Sequence, residues 1–314
     1  MKIYLIQSKD KFRGVENILG SYGDVVVLDS GEKDLNKYRE LFDNDSEKVV
    51  GISPGVVEWK FPLEVIKKLK KLKGICTKSS WAYYIDIDYC KKSGIIVCNT
   101  PGANSQSVAE YAIWQALSLA RKFPLQLNDK FLTKHDNDHL QTEIMGKTAG
   151  IVGLGNVGSR IASLTSGLGM KVIYWNRSKK RIAYKRLTVD KLLKTADFIF
   201  NCLEICEGTY GFFDKKRLCS LRKDSYFISV IGGGGWKVED TDYLIKMVEK
   251  GRLAGYSVEN EHAEGYKLPK DIRGNVFIPG AYAWYTKEAR KRSNQMWVDS
   301  IIGVVKGKPV YVVN

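Results

Sequence analysis

Short apolar runs alternate with one-sided amphipathic stretches along most of the chain. Residues 3–7, 25–28, 49–53, 74–78 and 95–98 are apolar runs of the length expected for buried strands. Between them lie a helix-like piece at 14–20 and a turn at Pro54 and Gly55. In 62–72 the apolar residues at 63, 65, 66, 69 and 72 stand between lysines, as on one face of a helix. Residues 101–123 predict a loop and then a long helix, with Pro124 after its end, and 125–147 read as polar and irregular. The alternation then resumes. Strands are predicted at 149–152, 171–175, 196–202, 226–230, 254–258 and 276–278, and helices at 159–167, 189–193, 215–221, 239–250 and 287–305. Strand and helix in turn imply parallel sheet with helices packed on it.

Composition narrows the class. The 314 residues are 44% hydrophobic and 27% charged, the balance of an ordinary globular chain with room for two domains. No apolar run approaches the roughly 18 residues of a membrane-spanning helix. The start, MKIYLIQSKDKF, lacks the features of a secretory leader. The 6 cysteines have no paired C-x-x-C spacing, which fits free thiols in a reducing cytoplasm. A formal net charge of +15 could attract nucleic acid. The lysines, however, are spread along helix-like stretches such as 66–73 rather than interleaved with aromatics, so a basic surface is expected and a nucleic-acid partner is not.

The clearest chemistry lies in 148–181, TAGIVGLGNVGSRIASLTSGLGMKVIYWNRSKKR. Strand, G-x-G-x-x-G, helix and strand within about thirty residues predict a dinucleotide site. Gly153 permits the tight turn, Gly155 lets backbone approach a pyrophosphate, and Gly158 lets the helix sit close to the strand. Leu154, Asn156 and Val157 complete the turn and open the helix, whose free N–H groups and dipole favour anions. An acid at the end of the second strand would bond the ribose hydroxyls of NAD. Asn176 stands there instead, followed by Arg177, Ser178, Lys179, Lys180 and Arg181. A 2′-phosphate would meet positive charge and a hydroxyl, so NADP(H) is preferred, with NAD the second candidate. The plain alternative is a solvated basic turn. His135 and His139 flank Asp136 and Asp138 in the polar linker; a solvated loop is the simpler reading there, and no metal is expected.

Several segments resemble the D-isomer-specific 2-hydroxyacid dehydrogenase family: NTPGANSQSVAEYA at 99–112, TEIMGKTAGIVGLGNVGSRIA at 142–162, ADFIFNCLEICEGTYGFF at 196–213, and the later GRLAGYSVENEHAEG and NVFIPGAYAWYTKEA. The resemblance implies an α/β protein of two doubly wound parallel-sheet domains. A Rossmann-type cofactor domain, about 101–282, would be inserted in a flavodoxin-like substrate domain formed by about 1–100 and 283–314. The catalytic cleft would lie at the carboxyl ends of the strands. It further implies hydride transfer between a nicotinamide and a 2-keto or 2-hydroxy acid. Cys202, Leu203, Thr209, Val230 and Ile231 would line the cofactor, and Glu259 takes the place of the Asp that bonds the carboxamide. A homodimer is implied too, and helix 105–119, with Ala109, Ala112, Ile113, Ala116 and Leu117, is suited to close packing against a partner as well as against its own domain.

The family chemistry needs an Arg for the substrate carboxylate, a His for proton transfer and a Glu that orients the His. Here Gly232 falls at the Arg position, with Lys237 as a substitute that lacks the bidentate fork. Gly280 or Ala281 takes the place of the His. Glu264 holds the Glu position, and His262 beside it is either a relocated acid/base or a surface histidine. In the substrate loop SSWAYYIDID, Trp81 occupies a glycine position between Ser80 and Tyr83, while Tyr282 and Trp284 stand on the other wall. These aromatics either shape a small-molecule pocket or pack a domain interface. The expectation is a cytoplasmic NAD(P)-dependent oxidoreductase with an altered or impaired centre, very slow on conventional keto acids. The alternative is a catalytically silent NAD(P)-binding regulator resembling corepressor relatives.

Overall fold

The computed structural model describes residues 1–7, 14–28, 31–231, 237–259 and 272–314. The chain divides into two compact units, Met1–Asn104 with Lys287–Asn314, and Ser105–Thr286. The first holds β1 (Lys2–Ile6), α1 (Val15–Gly20), β2 (Asp24–Leu28), β3 (Lys48–Ile52), α2 (Leu63–Lys68), β4 (Leu72–Thr77), α3 (Ile87–Lys92), β5 (Ile96–Cys98) and the late helix α10 (Lys287–Val305). Its sheet runs β2-β1-β3-β4-β5, parallel throughout. This is the flavodoxin-like order. One face packs Tyr4, Ile6, Val50, Ile52 and Ile75 against Val65, Ile66 and Cys90. The other packs Ile3, Leu5, Val49 and Cys76 against Trp297, Val298 and Ile301 of α10. Burial on both faces is why these strands read as unbroken apolar runs.

The second unit holds α4 (Ser105–Ala120), α5 (Phe123–Asn128), β6 (Thr148–Val152), α6 (Asn156–Gly167), β7 (Lys171–Trp175), β8 (Lys185–Arg186), α7 (Val189–Thr195) and β9 (Phe198–Asn201). It continues with α8 (Lys215–Leu218), β10 (Tyr226–Ser229), α9 (Thr241–Glu249), β11 (Gly255–Ser257) and β12 (Val276–Phe277). Its sheet runs β12-β11-β10-β9-β6-β7-β8, again with parallel pairs. Counted from β6 this is the Rossmann order, and it reverses between β6 and β9. Ligands bind at such a switch point, outside the carboxyl ends of the strands. Among the described residues no helix is long and apolar enough to cross a membrane.

Two expectations need correction. The helix of 62–72 ends at Lys68, and Leu72 opens β4 instead. Leu69 leaves helical geometry, and Lys71 turns the chain through a φ of 55°. Leu69 and Leu72 still bury in the same core as the helix face, so helical spacing ran on past the helix. The long helix ends at Ala120, and Pro124 sits in the first turn of α5 rather than simply closing α4. A proline is tolerated in that turn because its missing N–H would have no helical partner. Segment 125–147 is therefore not irregular throughout. The small residues of α4 pack against their own domain, as expected. Ala109, Ala112 and Ala116 are buried within their own unit beside Ile151 and Ile161, and the exposed apolar side chains of the helix are Trp114 and Leu117.

Candidate functional site

The five parallel strands β6, β7, β9, β10 and β11 deliver most of the sequence-predicted cofactor residues to one edge of their sheet. Gly153 follows β6 at a φ of 96°, and its N–H donates to the Trp175 carbonyl (2.9 Å). A Cβ there would stand 2.6 Å from the Cys202 carbonyl oxygen, so the turn is pressed onto the loop after β9. A Cβ at Gly158 would stand 2.1 Å from the Gly153 carbonyl oxygen, which sets how closely α6 approaches the turn. Gly155 differs: nothing lies within 4 Å of its Cβ position. It is the N-cap of α6, no side chain caps that end, and Asn156 and Val157 begin the helix. An open space over uncapped N–H groups fits a pyrophosphate. Leu154 is buried, and its N–H donates to Asn176 Oδ1 (3.0 Å).

Asn176 thus ties the end of β7 to the glycine turn. Its Nδ2 donates to the Ser178 carbonyl (3.1 Å). Arg177 and Ser178 are exposed. A cation that sequence reading passed over joins them: Arg186 of β8 donates to the carbonyls of Asn176 (2.9 Å) and Arg177 (3.1 Å). Nothing in a two-residue edge strand signals this from sequence.

Cys202 follows β9, and burial pushes its thiol well up, so it stays neutral. Leu203 N–H donates to Asn201 Oδ1 (3.3 Å). Val230 N–H donates to the Asn201 carbonyl (3.0 Å), and Ile231 is buried behind it. The Thr209 hydroxyl is bound within its own loop, to the Glu204 carbonyl at 2.5 Å and the Cys206 carbonyl at 2.9 Å.

The segment that lacks the histidine is held firmly. The Tyr111 hydroxyl donates to the Gly280 carbonyl (2.5 Å), and Ser107 Oγ donates to the Ala283 carbonyl. Ala283 N–H donates to Glu259 Oε1 (3.0 Å). Burial, with the charge of Glu259 second, pushes the Tyr111 phenol up to about 12. A Cβ at Gly280 would meet the Tyr282 ring at 2.7 Å. Tyr282 and Trp284 are exposed on this unit, and Trp284 meets Tyr285 edge-on with centroids 5.0 Å apart. Lys237 lies on another segment. Its carbonyl accepts from Gly211 N–H (2.7 Å), and its ammonium sits 5.6 Å from the Tyr210 ring centre. Gly232, His262 and Glu264 lie outside the described residues.

On the first unit, Ser80 follows β4, where its carbonyl accepts from Asn99 Nδ2 (2.8 Å). Trp81 and Tyr83 stand beside it, 5.9 Å apart. Of the two linker histidines, His139 bridges Asp136 (2.6 Å) and Asp129 (2.7 Å), and the Asp136 hydrogen bond leads in raising its pKa. Among the described residues no group of three or more His, Cys, Asp or Glu could hold a metal ion.

Comparison with known proteins bears on this edge. A family model described as D-isomer specific 2-hydroxyacid dehydrogenase, NAD binding domain, matches residues 113–271. The chain is 30% identical over 308 residues to a glyoxylate reductase of Thermofilum pendens, covering 93% of this chain and 88% of that one. It is also 30% identical over 268 residues to a glyoxylate reductase of Thermococcus litoralis, covering 80% of each. Among solved structures, an acyclic imino acid reductase in complex with NADPH and D-Arg is 25% identical, with a TM-score of 0.82 and full coverage of both chains. A D-lactate dehydrogenase from Aquifex aeolicus, complexed with NAD and lactic acid, has a TM-score of 0.79 at 24% identity, covering 98% of this chain and 96% of that one; this likeness speaks for the fold alone.

Proposed function

The chain belongs to the D-isomer specific 2-hydroxyacid dehydrogenase family, and from that premise we propose that it is a nicotinamide-dependent oxidoreductase of small 2-oxo or 2-hydroxy acids with a rebuilt catalytic centre. The observation that carries this reading is the glycine turn: Gly153 and Gly158 have no room for a side chain, whereas Gly155 opens onto the uncapped start of α6. Gly155, Asn156 and Val157 hold the pyrophosphate there. Arg177 and Ser178, backed by Arg186, face the adenosine ribose and favour a 2′-phosphate, so NADP(H) is preferred over NAD(H). When bound, the nicotinamide supplies or takes up the hydride. Ser107, Tyr111 and Glu259 fix the 280–283 segment, which presents glycine and alanine where the family carries its histidine. Gly232 stands in the same way for the arginine, and Glu264 keeps the family position. Lys237 and His262 are the remaining candidates for charge and proton. Free thiols at all six cysteines support a cytoplasmic setting. A homodimer is part of the same proposal.

The missing pair also favours a second reading, a catalytically silent dinucleotide-binding regulator. One experiment separates the two. Glyoxylate, pyruvate and hydroxypyruvate are offered with NADPH and with NADH, and the nicotinamide absorbance is followed beside a direct cofactor-binding titration. Slow turnover with tight NADPH binding supports the oxidoreductase; tight binding with no turnover on any acid supports the regulator. Arg177→Asp is expected to weaken NADPH by about tenfold or more, the value of one charged contact. Equal affinity of the unaltered protein for NADH and NADPH overturns the cofactor preference. Turnover near 10 per second on a simple keto acid, a typical enzyme rate, overturns the assignment of the missing residues.

A further inference from the structure

A phenol fills the space into which a side chain at Gly280 would grow. After β12 the chain makes a three-residue turn, in which Tyr282 N–H donates back to the Gly280 carbonyl (2.8 Å) across Ala281. The Tyr111 hydroxyl donates to the same carbonyl, and Tyr285 N–H donates to the Tyr282 carbonyl (2.9 Å). Glu259 and Ser107 hold the next residue, Ala283, by its N–H and its carbonyl. The turn folds the Tyr282 ring back onto Gly280. A Cβ built on Gly280 would stand 2.7 Å from ring atom Cε2 and 3.0 Å from Cδ2. Cζ, which carries the hydroxyl, is 3.8 Å from the same point, so the hydroxyl lies within one further bond of it. The residue is 66% exposed, and among the described residues none binds its hydroxyl.

We infer that the Tyr282 hydroxyl carries the proton to and from the substrate oxygen, the task for which the 280–283 segment has no histidine. This rests on the oxidoreductase reading above and assigns its proton to Tyr282 rather than to His262. Tyr282 and the glycine turn belong to one unit, and the strands before them run parallel in one sheet, so both follow carboxyl ends at the same edge. Arg177 and Ser178 follow β7, on one side of β6, and take the adenosine in that reading. The nicotinamide half of a dinucleotide then extends the other way, over β9, β10 and β11, toward β12. Glu259, beyond β11, lies on that side and is bonded to the residue after Tyr282. A phenol is a recognised general acid and base. In reduction the carbonyl carbon takes the hydride, the carbonyl π pair moves onto oxygen, and the Tyr282 O–H bond breaks to protonate it. Water then reprotonates the phenolate, and oxidation runs the same transfer backwards. The second phenol of the cluster, Tyr111, is engaged by the Gly280 carbonyl, and burial pushes it up to about 12, so it positions the turn instead.

The test compares the unaltered full-length protein with Tyr282→Phe, which removes one oxygen, keeps the ring and, at an exposed position, leaves the fold intact. Glyoxylate reduction with NADPH is followed at the nicotinamide absorbance. The variant is expected to lose about 100-fold or more in kcat, the usual value of a positioned general acid, with its NADPH affinity unchanged. A second readout is independent of turnover. Oxamate, an unreactive analogue of a 2-oxo acid, is titrated calorimetrically into the NADPH complex. Its affinity is expected to fall about fivefold in Tyr282→Phe, as one hydrogen bond to its carbonyl is lost. Undiminished turnover in the variant, or undiminished oxamate affinity, overturns the inference and leaves the oxidoreductase reading standing. Weakened NADPH binding in the variant gives the hydroxyl a structural role and overturns it as well. No turnover of any 2-oxo acid by the unaltered protein overturns the oxidoreductase reading itself, and the inference with it.

Discussion

Gly155 and Gly158 are three residues apart in one turn, and their surroundings predict opposite consequences for the same change. A methyl group on Gly158 drives into the backbone carbonyl of Gly153, 2.1 Å from its Cβ position, where no flexible side chain can yield. Gly158→Ala is expected to destabilise the protein by about 1–3 kcal/mol, the usual range for overpacking. A methyl group on Gly155 meets nothing, and its φ of −88° suits any residue. Gly155→Ala is therefore expected to leave stability within about 0.5 kcal/mol and to weaken dinucleotide binding instead. Urea midpoints without cofactor, set beside NADPH titrations, separate the two. Equal loss of stability in both variants would contradict the geometry. The residue scale also shows why restoring the histidine is not a single step. A side chain at Gly280 displaces the Tyr282 ring, although that ring is 66% exposed and free to swing outward.

At the scale of elements, the carboxyl ends of β9, β10 and β11 gather a polar cluster ahead of α9. Glu239 is buried, with Asn201 Nδ2 donating to one carboxylate oxygen (2.7 Å) and the Tyr256 hydroxyl to the other (2.5 Å). Ser229 stands beside them. Burial outweighs these hydrogen bonds and pushes the carboxyl up from 4.5 to about 7. An acid whose folded pKa is raised binds its proton more tightly in the native state. Its contribution to stability is complete below the unfolded pKa near 4.5 and is lost as the pH rises through 7. A shift of this size corresponds to roughly 3 kcal/mol. Glu239→Gln, which cannot ionise, is expected to be more stable than the parent at pH 8.5 and to lose less between pH 5.5 and 8.5. Denaturant midpoints at the two pH values decide it, and parallel pH slopes for parent and variant would show that Glu239 does not titrate in this window. The same cluster touches the cofactor edge, since Asn201 also accepts from Leu203 N–H and its carbonyl from Val230 N–H.

At the scale of the whole molecule, the apolar surface is unevenly distributed. Trp114 and Leu117 of α4, Leu127 of α5, and Phe131, Leu132, Leu140 and Met145 after it are all exposed. Scattered apolar residues are ordinary, but seven exposed large apolar side chains fall between positions 114 and 145, and we propose that this stretch is an interaction surface. A second copy of the chain is the proposed occupant, through a two-fold contact. Sedimentation at micromolar concentration is expected to show a dimer, and Phe131→Glu with Leu132→Glu to shift it to monomer without unfolding, since both side chains are exposed already. A stable monomer of the unaltered chain would refute the proposal.

The sequence alone determined the α/β class, every strand position but that of β8, and the glycine turn. These features are local: an apolar run buried on both faces, or a turn with no room for Cβ, leaves its mark within a few consecutive residues. The family followed from motifs of the same kind. The helix ends were less legible, because Leu72 continues the helical spacing of α2 while belonging to β4. Other features came only from tertiary structure. Arg186 reaches Asn176 across a sheet edge, and Glu239 meets Asn201 and Tyr256 from three separate segments. Trp59 joins Trp81 and Tyr83 only because β3 and β4 run side by side and release their loops at the same edge. Contacts between residues distant in sequence depend on strand order, and no local pattern of side chains encodes that order.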